Sequence, residues 1–124
     1  MLPGRRSRRV GDQILKEIAS LLLHTIRDPR VVGVTVTGIR MTDDLKRARV
    51  FYSLMGEAGE IARAQKGLES ATGFIKREIG MRMELRYVPD IRFVHDPSLE
   101  LGSRMERVLS GLQAGVDGEP DTDE

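Results

Sequence analysis

Cysteine and tryptophan are absent from this chain. Without a thiol there is no disulfide, no thiolate nucleophile, no iron–sulfur cluster and no cysteine-ligated zinc. Aromatic residues are scarce, with three Phe and two Tyr, so recognition by base stacking alone is a weak proposal and phosphate contact a better one. No apolar run approaches the length of about 18 residues that a membrane helix needs. The N-terminal arginines are not followed by an apolar signal core, so secretion is not expected and a cytoplasmic location is. His24 and His95 stand far apart with no ligand spacing around them. Asp43-Asp44 fits a turn better than a metal site, because adjacent acids point differently and no further ligand is near. Ser, His and Asp are present without a nucleophile elbow. No catalytic residue, metal site or cofactor is expected.

What is present is a single domain's worth of soluble chain: 124 residues, 40% hydrophobic and 31% charged. Its near-neutral charge of +1 hides an asymmetry. Asp117 to Glu124 carry five acids and no base, and without them 14 acids face 20 bases, a net charge of +6. The bases begin densely with Arg5, Arg6, Arg8 and Arg9. A basic body with an acidic tail suggests a polyanionic partner; the alternative, a merely solvated surface, stays open at this point.

The apolar pattern is helical from Val10 through Ile14, Ile18, Leu21 and Leu22 to Ile26. Ser7 is a candidate cap, and Asp28-Pro29 ends the helix because the residue before proline avoids helical geometry. Val31 to Met41 is expected to be a strand. Its inward phase runs through Val32, Val34 and Val36, then slips by one to Ile39 and Met41. A slip reverses the faces, so a bulge around Thr37-Gly38 is expected to restore them. After the turn at Thr42-Asp43-Asp44, Arg47 to Leu54 alternates with Ala48, Val50 and Tyr52 inward, which makes an antiparallel hairpin. Glu57 to Glu78 is helical, with Thr72-Gly73 the natural place for a break. Ile91 to His95 is a third strand, and Leu101, Met105, Val108, Leu109 and Leu112 mark a final amphipathic helix. The fold class is α+β: a three-stranded sheet with helices on one face.

The order helix, strand, strand, helix, helix, strand resembles the type II KH domain. Arg8-Arg9-Val10, Leu21-Leu22-Leu23, Asp44-Leu45-Lys46, Ala48-Arg49-Val50-Phe51-Tyr52, Ala71-Thr72-Gly73 and Pro89-Asp90-Ile91-Arg92-Phe93-Val94-His95-Asp96 occur in sequence. Together they resemble the ribosome-binding factor A family of bacterial small-subunit assembly factors, from about Arg5 to Leu112. The resemblance implies a KH-like fold, α-β-β-α-(kink)-α-β, in which an Ala-x-Gly interhelical kink at Ala71-Thr72-Gly73 replaces the usual Gly-x-x-Gly loop. It also implies a non-enzymatic, cofactor-free protein that binds the free 30S subunit and 16S rRNA, assists late maturation and rRNA processing, and matters most in the cold. A monomer is expected, with no membrane and no small-molecule substrate. Residues 1–7 would be a basic flexible arm, 8–96 the KH-like RNA-binding domain, 97–113 a C-terminal helix and 114–124 an acidic disordered tail.

Candidate RNA-binding residues follow from charge and from the resemblance. Arg5, Arg6, Arg8 and Arg9 offer guanidinium forks that hold phosphate bidentately and do not deprotonate. Lys46, Arg47 and Arg49 line the hairpin, and Lys66, Lys76, Arg77 and Arg82 flank the expected kink. Ala71, Thr72 and Gly73 either expose backbone N–H groups to phosphate or simply let helices pack closely; both readings stand. Gly56-Glu57-Ala58-Gly59 matches the Gly-x-x-Gly spacing, but it lies between strand and helix and carries an acid, so it is read as a turn and helix entry. A small nucleolytic or metabolic enzyme, and an adaptor using the C-terminal helix, are the competing function classes. Dispersed bases without a convergent acid–base cluster favour RNA binding over catalysis.

The tail generates one prediction. It has no apolar residue after Val116 and would repel phosphate. Deleting Asp117 to Glu124 is expected to leave the melting temperature unchanged and to tighten RNA binding slightly at low salt. A large drop in melting temperature would show that the tail docks instead.

Overall fold

A computed structural model describes residues 5–97. The expected C-terminal helix over 97–113, apart from Pro97, and the acidic tail over 114–124 lie outside the described residues. The elements are α1 (Arg5–His24), a 3-10 turn (Pro29–Val31), β1 (Thr35–Met41), β2 (Arg47–Ser53), α2 (Ala58–Arg82) and β3 (Asp90–His95). The sheet order is β1-β2-β3, with β1–β2 antiparallel and β2–β3 parallel. Inward residues Ala48, Val50, Tyr52, Ile91 and Phe93 form one core with Ile14, Ile18 and Leu21 of α1 and Leu68, Ile75 and Ile79 of α2. Both helices therefore cover one sheet face, the arrangement expected from the sequence.

Helix α1 begins at Arg5, earlier than expected. Three residues assigned to the flexible arm are thus helical, and Ser7 is not a cap but a buried residue inside the helix. Ser7, Gly11, Ile14, Ile18 and Leu21 make its buried stripe. Small residues lead that stripe because the helix closes on β1 at its N-terminal end: a Cβ on Gly11 would stand 3.2 Å from Met41 Cγ and 3.4 Å from Ile39 Cγ2. Downstream, the Asp28 carboxylate accepts from the Arg30 backbone N–H at 2.9 Å and pairs with its guanidinium at 2.7 Å. These bonds hold the Asp28 carboxyl below its ordinary value and fix the 3-10 turn.

The register of β1 shifts between Val36 and Gly38, so the bulge sits where the phase slip put it. Ile39 and Met41 pair with Val50 and Ala48 on the inner face, and Arg40 stands outside opposite Arg49. The strand itself is shorter than expected, because Val31 belongs to the 3-10 turn.

Helix α2 differs from expectation. It starts at Ala58, with the Glu57 N–H donating to Glu60 Oε1 at 2.8 Å, so Gly56 to Gly59 is a turn and helix entry. It then runs 25 residues without a break through Ala71-Thr72-Gly73. A glycine costs only about 1 kcal/mol in a helix interior, which the burial of Leu68, Ile75 and Ile79 along one stripe outweighs. The Thr72 hydroxyl donates to the Leu68 carbonyl at 2.9 Å, a back-bond one turn up the helix that satisfies the hydroxyl within the run.

Gly67 and Gly73 sit in the same helix with opposite surroundings. A Cβ on Gly73 would meet nothing within 4 Å, whereas one on Gly67 would meet Val31 Cγ1 at 2.8 Å and Arg30 Cβ at 3.1 Å. Gly73→Ala is therefore expected to stabilise the protein by about 0.4–1 kcal/mol, and Gly67→Ala to destabilise it by about 1–3 kcal/mol through overpacking. Urea unfolding of both variants checks this; a loss of stability in Gly73→Ala would contradict the continuous helix.

Candidate nucleic-acid interface

Three chain segments meet at one pole of the domain: the start of α1, the β1–β2 turn and the α2–β3 connection. The turn is closed by Thr42 N–H to Arg47 O at 3.0 Å and Leu45 N–H to Thr42 O at 2.9 Å. The Asp44 carboxylate accepts from the Thr42 hydroxyl at 2.6 Å and from the Lys46 N–H at 3.0 Å. Leu45 takes a left-handed conformation, φ 61°, and so does Glu84 in the other connection, φ 53°. Non-glycine residues rarely adopt this region, so both loops are held by their surroundings. Leu85 N–H, bonded to Gly80 O at 3.0 Å, folds the second loop back onto α2.

These loops place Lys46 and Arg86 with Arg6 around a hollow of about 360 Å³ floored by Leu45, Leu85 and Val88. Arg5, Arg6 and Arg9 surround a neighbouring apolar hollow at Val10 and Met83. Arg8 lines a third, of about 410 Å³, with Arg40 and the β1 residues Ile39 and Met41. The first turn of α1 has no acid. Cations at a helix N-terminus oppose the helix dipole and favour a bound anion. Asp44 and Asp12 are the acids lining these hollows, and Asp44 is occupied with its own turn.

The remaining candidates do not join this pole. Lys66 and Arg77 are exposed on α2, lie on one helical face and bracket Gly73 across about 16 Å. Lys76 is half-buried, as are Ala71 and Thr72. The continuous helix leaves Ala71, Thr72 and Gly73 inside its hydrogen-bonded run rather than at a half-helix start. Arg82 pairs with Glu17 of α1 at 3.2 Å and with Glu78 at 3.4 Å, so it ties the two helices together. Arg47 points to the outer sheet face beside Arg40, Arg49 and Arg92. Arg86, Arg40 and Arg92 were missed by the sequence reading. Arg86 stands beside the Tyr87 ring, 5.8 Å from its centroid, and only that neighbouring aromatic offered a local signal. The other two become site candidates only through strand register.

A three-stranded sheet in this order, two helices on one face and a cationic pole define a type II KH-like domain without the Gly-x-x-Gly loop between its helices. The family model described as Ribosome-binding factor A matches residues 6–109, and the chain belongs to that family. The ribosome-binding factor A of Syntrophus aciditrophicus (strain SB) is 46% identical over 112 residues, covering 90% of this chain and 91% of that one. The solution NMR structure of a Thermotoga maritima protein, described as a candidate ribosome binding factor A, superposes with a TM-score of 0.65 at 29% identity, covering 76% of this chain and 90% of that one. A homology model of the Thermus thermophilus ribosome binding factor A, as fitted into a cryo-electron-microscopy map of a 30S complex, gives 0.60 at 21% identity, covering 72% and 93%.

The turn that presents Lys46 carries a pH signature. The Thr42 hydroxyl first, and the Lys46 N–H second, hold the Asp44 carboxyl below its ordinary value. A lowered folded-state pKa means that the stabilisation is present above the unfolded pKa and is lost as pH falls through the folded one. The Lys46 amide resonance is expected to titrate with a midpoint below the ordinary aspartate value, and Asp44→Asn to abolish that titration. A midpoint at or above that value would refute the assignment.

Proposed function

We propose that this protein is a non-catalytic assembly factor of the small ribosomal subunit, binding the free 30S particle through phosphates of 16S rRNA and assisting its late maturation and RNA processing. It acts as a cytoplasmic monomer and is needed most in the cold. Family membership supports the ribosomal partner, as does the 30S complex named for the Thermus relative. The observation that carries the mode of binding is the convergence of Arg6, Lys46 and Arg86 on one hollow beside the acid-free first turn of α1. Arginine and lysine there meet phosphate as charge-assisted donors, and this surface offers few stacking rings. The exposed pair Lys66 and Arg77 offers a separate basic stretch on α2, on the side where the family resemblance puts the Ala-x-Gly element.

Sedimentation of the full chain with isolated small subunits, across a salt series, tests this. If about five phosphates are neutralised, log affinity is expected to fall with log salt at a slope near −3.5 to −4.5. A slope near zero would refute phosphate-dominated binding. Changing Arg5, Arg6, Arg8 and Arg9 together to Ala is expected to weaken binding and flatten the slope. The unfolding midpoint should hardly move, because alanine is the best helix former and these positions are exposed. Arg86→Gln is expected to act in the same direction with a smaller effect; binding unchanged by both variants would place the contact elsewhere.

A further inference from the structure

The sheet face turned away from the helices carries an arrangement that meets the polar site only at Arg40, which shares a hollow with Arg8. Arg40, Arg49 and Arg92 occupy one rung across all three strands, since Arg40 pairs with Arg49 and Arg49 with Arg92. Their Cα atoms are spaced about 5 Å apart from strand to strand, and all three side chains are exposed. Arg47 stands on the same face next to them. Asp90 is a loose and exposed partner of Arg92 at 3.8 Å, and Asp12 lines a hollow with Arg40; among the described residues no salt bridge is formed by Arg49. Like charges directly opposite one another weaken a sheet, and strand positions here accept many uncharged residues at no such cost. A triple arginine rung is thus a stability liability that a bound polyanion would relieve.

The next rung supplies an apolar complement. It holds Gly38, Phe51 and Val94. Phe51 is not part of the hydrophobic core, and the space above Gly38 is open. Resting on the functional reading above, we propose that this outer sheet face is a second RNA contact, adjoining the pole at Arg40 and extending from it over Arg49 and Arg92. It would grip the backbone of a single-stranded rRNA segment on the Arg40–Arg49–Arg92 rung and seat one base against Phe51. Guanidinium forks are suited to successive phosphates, and a ring beside a cationic track is the usual platform for an unstacked base. A duplex fits less well, because its bases are not available to Phe51.

The test uses the full chain, a labelled mixed-sequence single-stranded RNA and isolated small subunits, with affinities measured across a salt series centred on about 0.1 M. The variants are Arg40→Gln/Arg49→Gln/Arg92→Gln together, and Phe51→Leu. The triple variant is expected to bind roughly tenfold more weakly or worse, with the salt slope reduced by roughly 2 to 3. Its melting temperature should equal or exceed that of the parent, because the like-charge rung is gone. Phe51→Leu is expected to weaken binding several-fold with the slope unchanged. A parent that binds salt-sensitively while the triple variant keeps its affinity and slope would overturn the second contact and leave the polar site standing. Tighter binding by the triple variant would also overturn it, showing that the rung holds the chain's own acidic tail. A parent that binds neither RNA nor subunits would remove both proposals.

Discussion

The bulge between Val36 and Gly38 is the constraint on which much of the rest depends. An unbulged β1 would turn Ile39 and Met41 to water and bring Arg40 inside, because side chains alternate strictly along a strand. Ile39 and Met41 are the surface on which α1 closes at Gly11. One extra residue in one strand therefore sets the seat of the first helix. It also aligns Arg40 with Arg49 and Arg92 and holds the α1 arginines beside the β1–β2 turn.

The second helix is placed by a different device. Gly67 admits the 3-10 turn to within contact of α2, and Gln65 stitches the helix to two strands. Its amide oxygen accepts from the Tyr52 hydroxyl, and its nitrogen donates to the Phe93 carbonyl at 2.9 Å. Burial, with a smaller contribution from Glu69, pushes the Tyr52 phenol above its ordinary value, so it stays a donor throughout the physiological range. The helix is thereby registered on β2 and β3 by polar contacts as well as by Leu68, Ile75 and Ile79. This explains why an internal glycine and threonine do not break it.

Local pattern carried the reading of the sequence wherever a residue's neighbours decide its fate. The phase slip from Val36 to Ile39 announced the bulge, and the alternation of Ala48, Val50 and Tyr52 announced the central strand. Failures came where distant contacts decide. Gly73 looked like a break because helix propensity counts its local cost and not the 25-residue stripe around it. Ser7 looked like a cap because its burial against β1 is a tertiary fact. Lys46 and the α1 arginines were legible as charges, but their meeting with Arg86 needed two left-handed loop residues, Leu45 and Glu84, that no composition rule anticipates. The outer arginines were the least legible of all: Arg49 and Arg92 become neighbours only once the parallel register of β2 and β3 is known.

That parallel register also orders events along the chain. Strands β1 and β2 are joined by a short turn and can pair as soon as they exist, together with α1. Strand β3 lies beyond α2 and pairs with β2 only across that crossover, whose closure costs chain entropy before any contact rewards it. During synthesis the central strand thus passes through an interval with one edge satisfied and the other bare, flanked by Val50 and Tyr52 before Phe93 arrives to cover them. Bare edges of this kind recruit other strands, and Arg47 and Arg49 alternate with those apolar residues along β2. Arg49, which taxes the finished sheet by facing Arg40 and Arg92, is in that interval, together with Arg47, a charge that keeps one nascent hairpin from adding to the next.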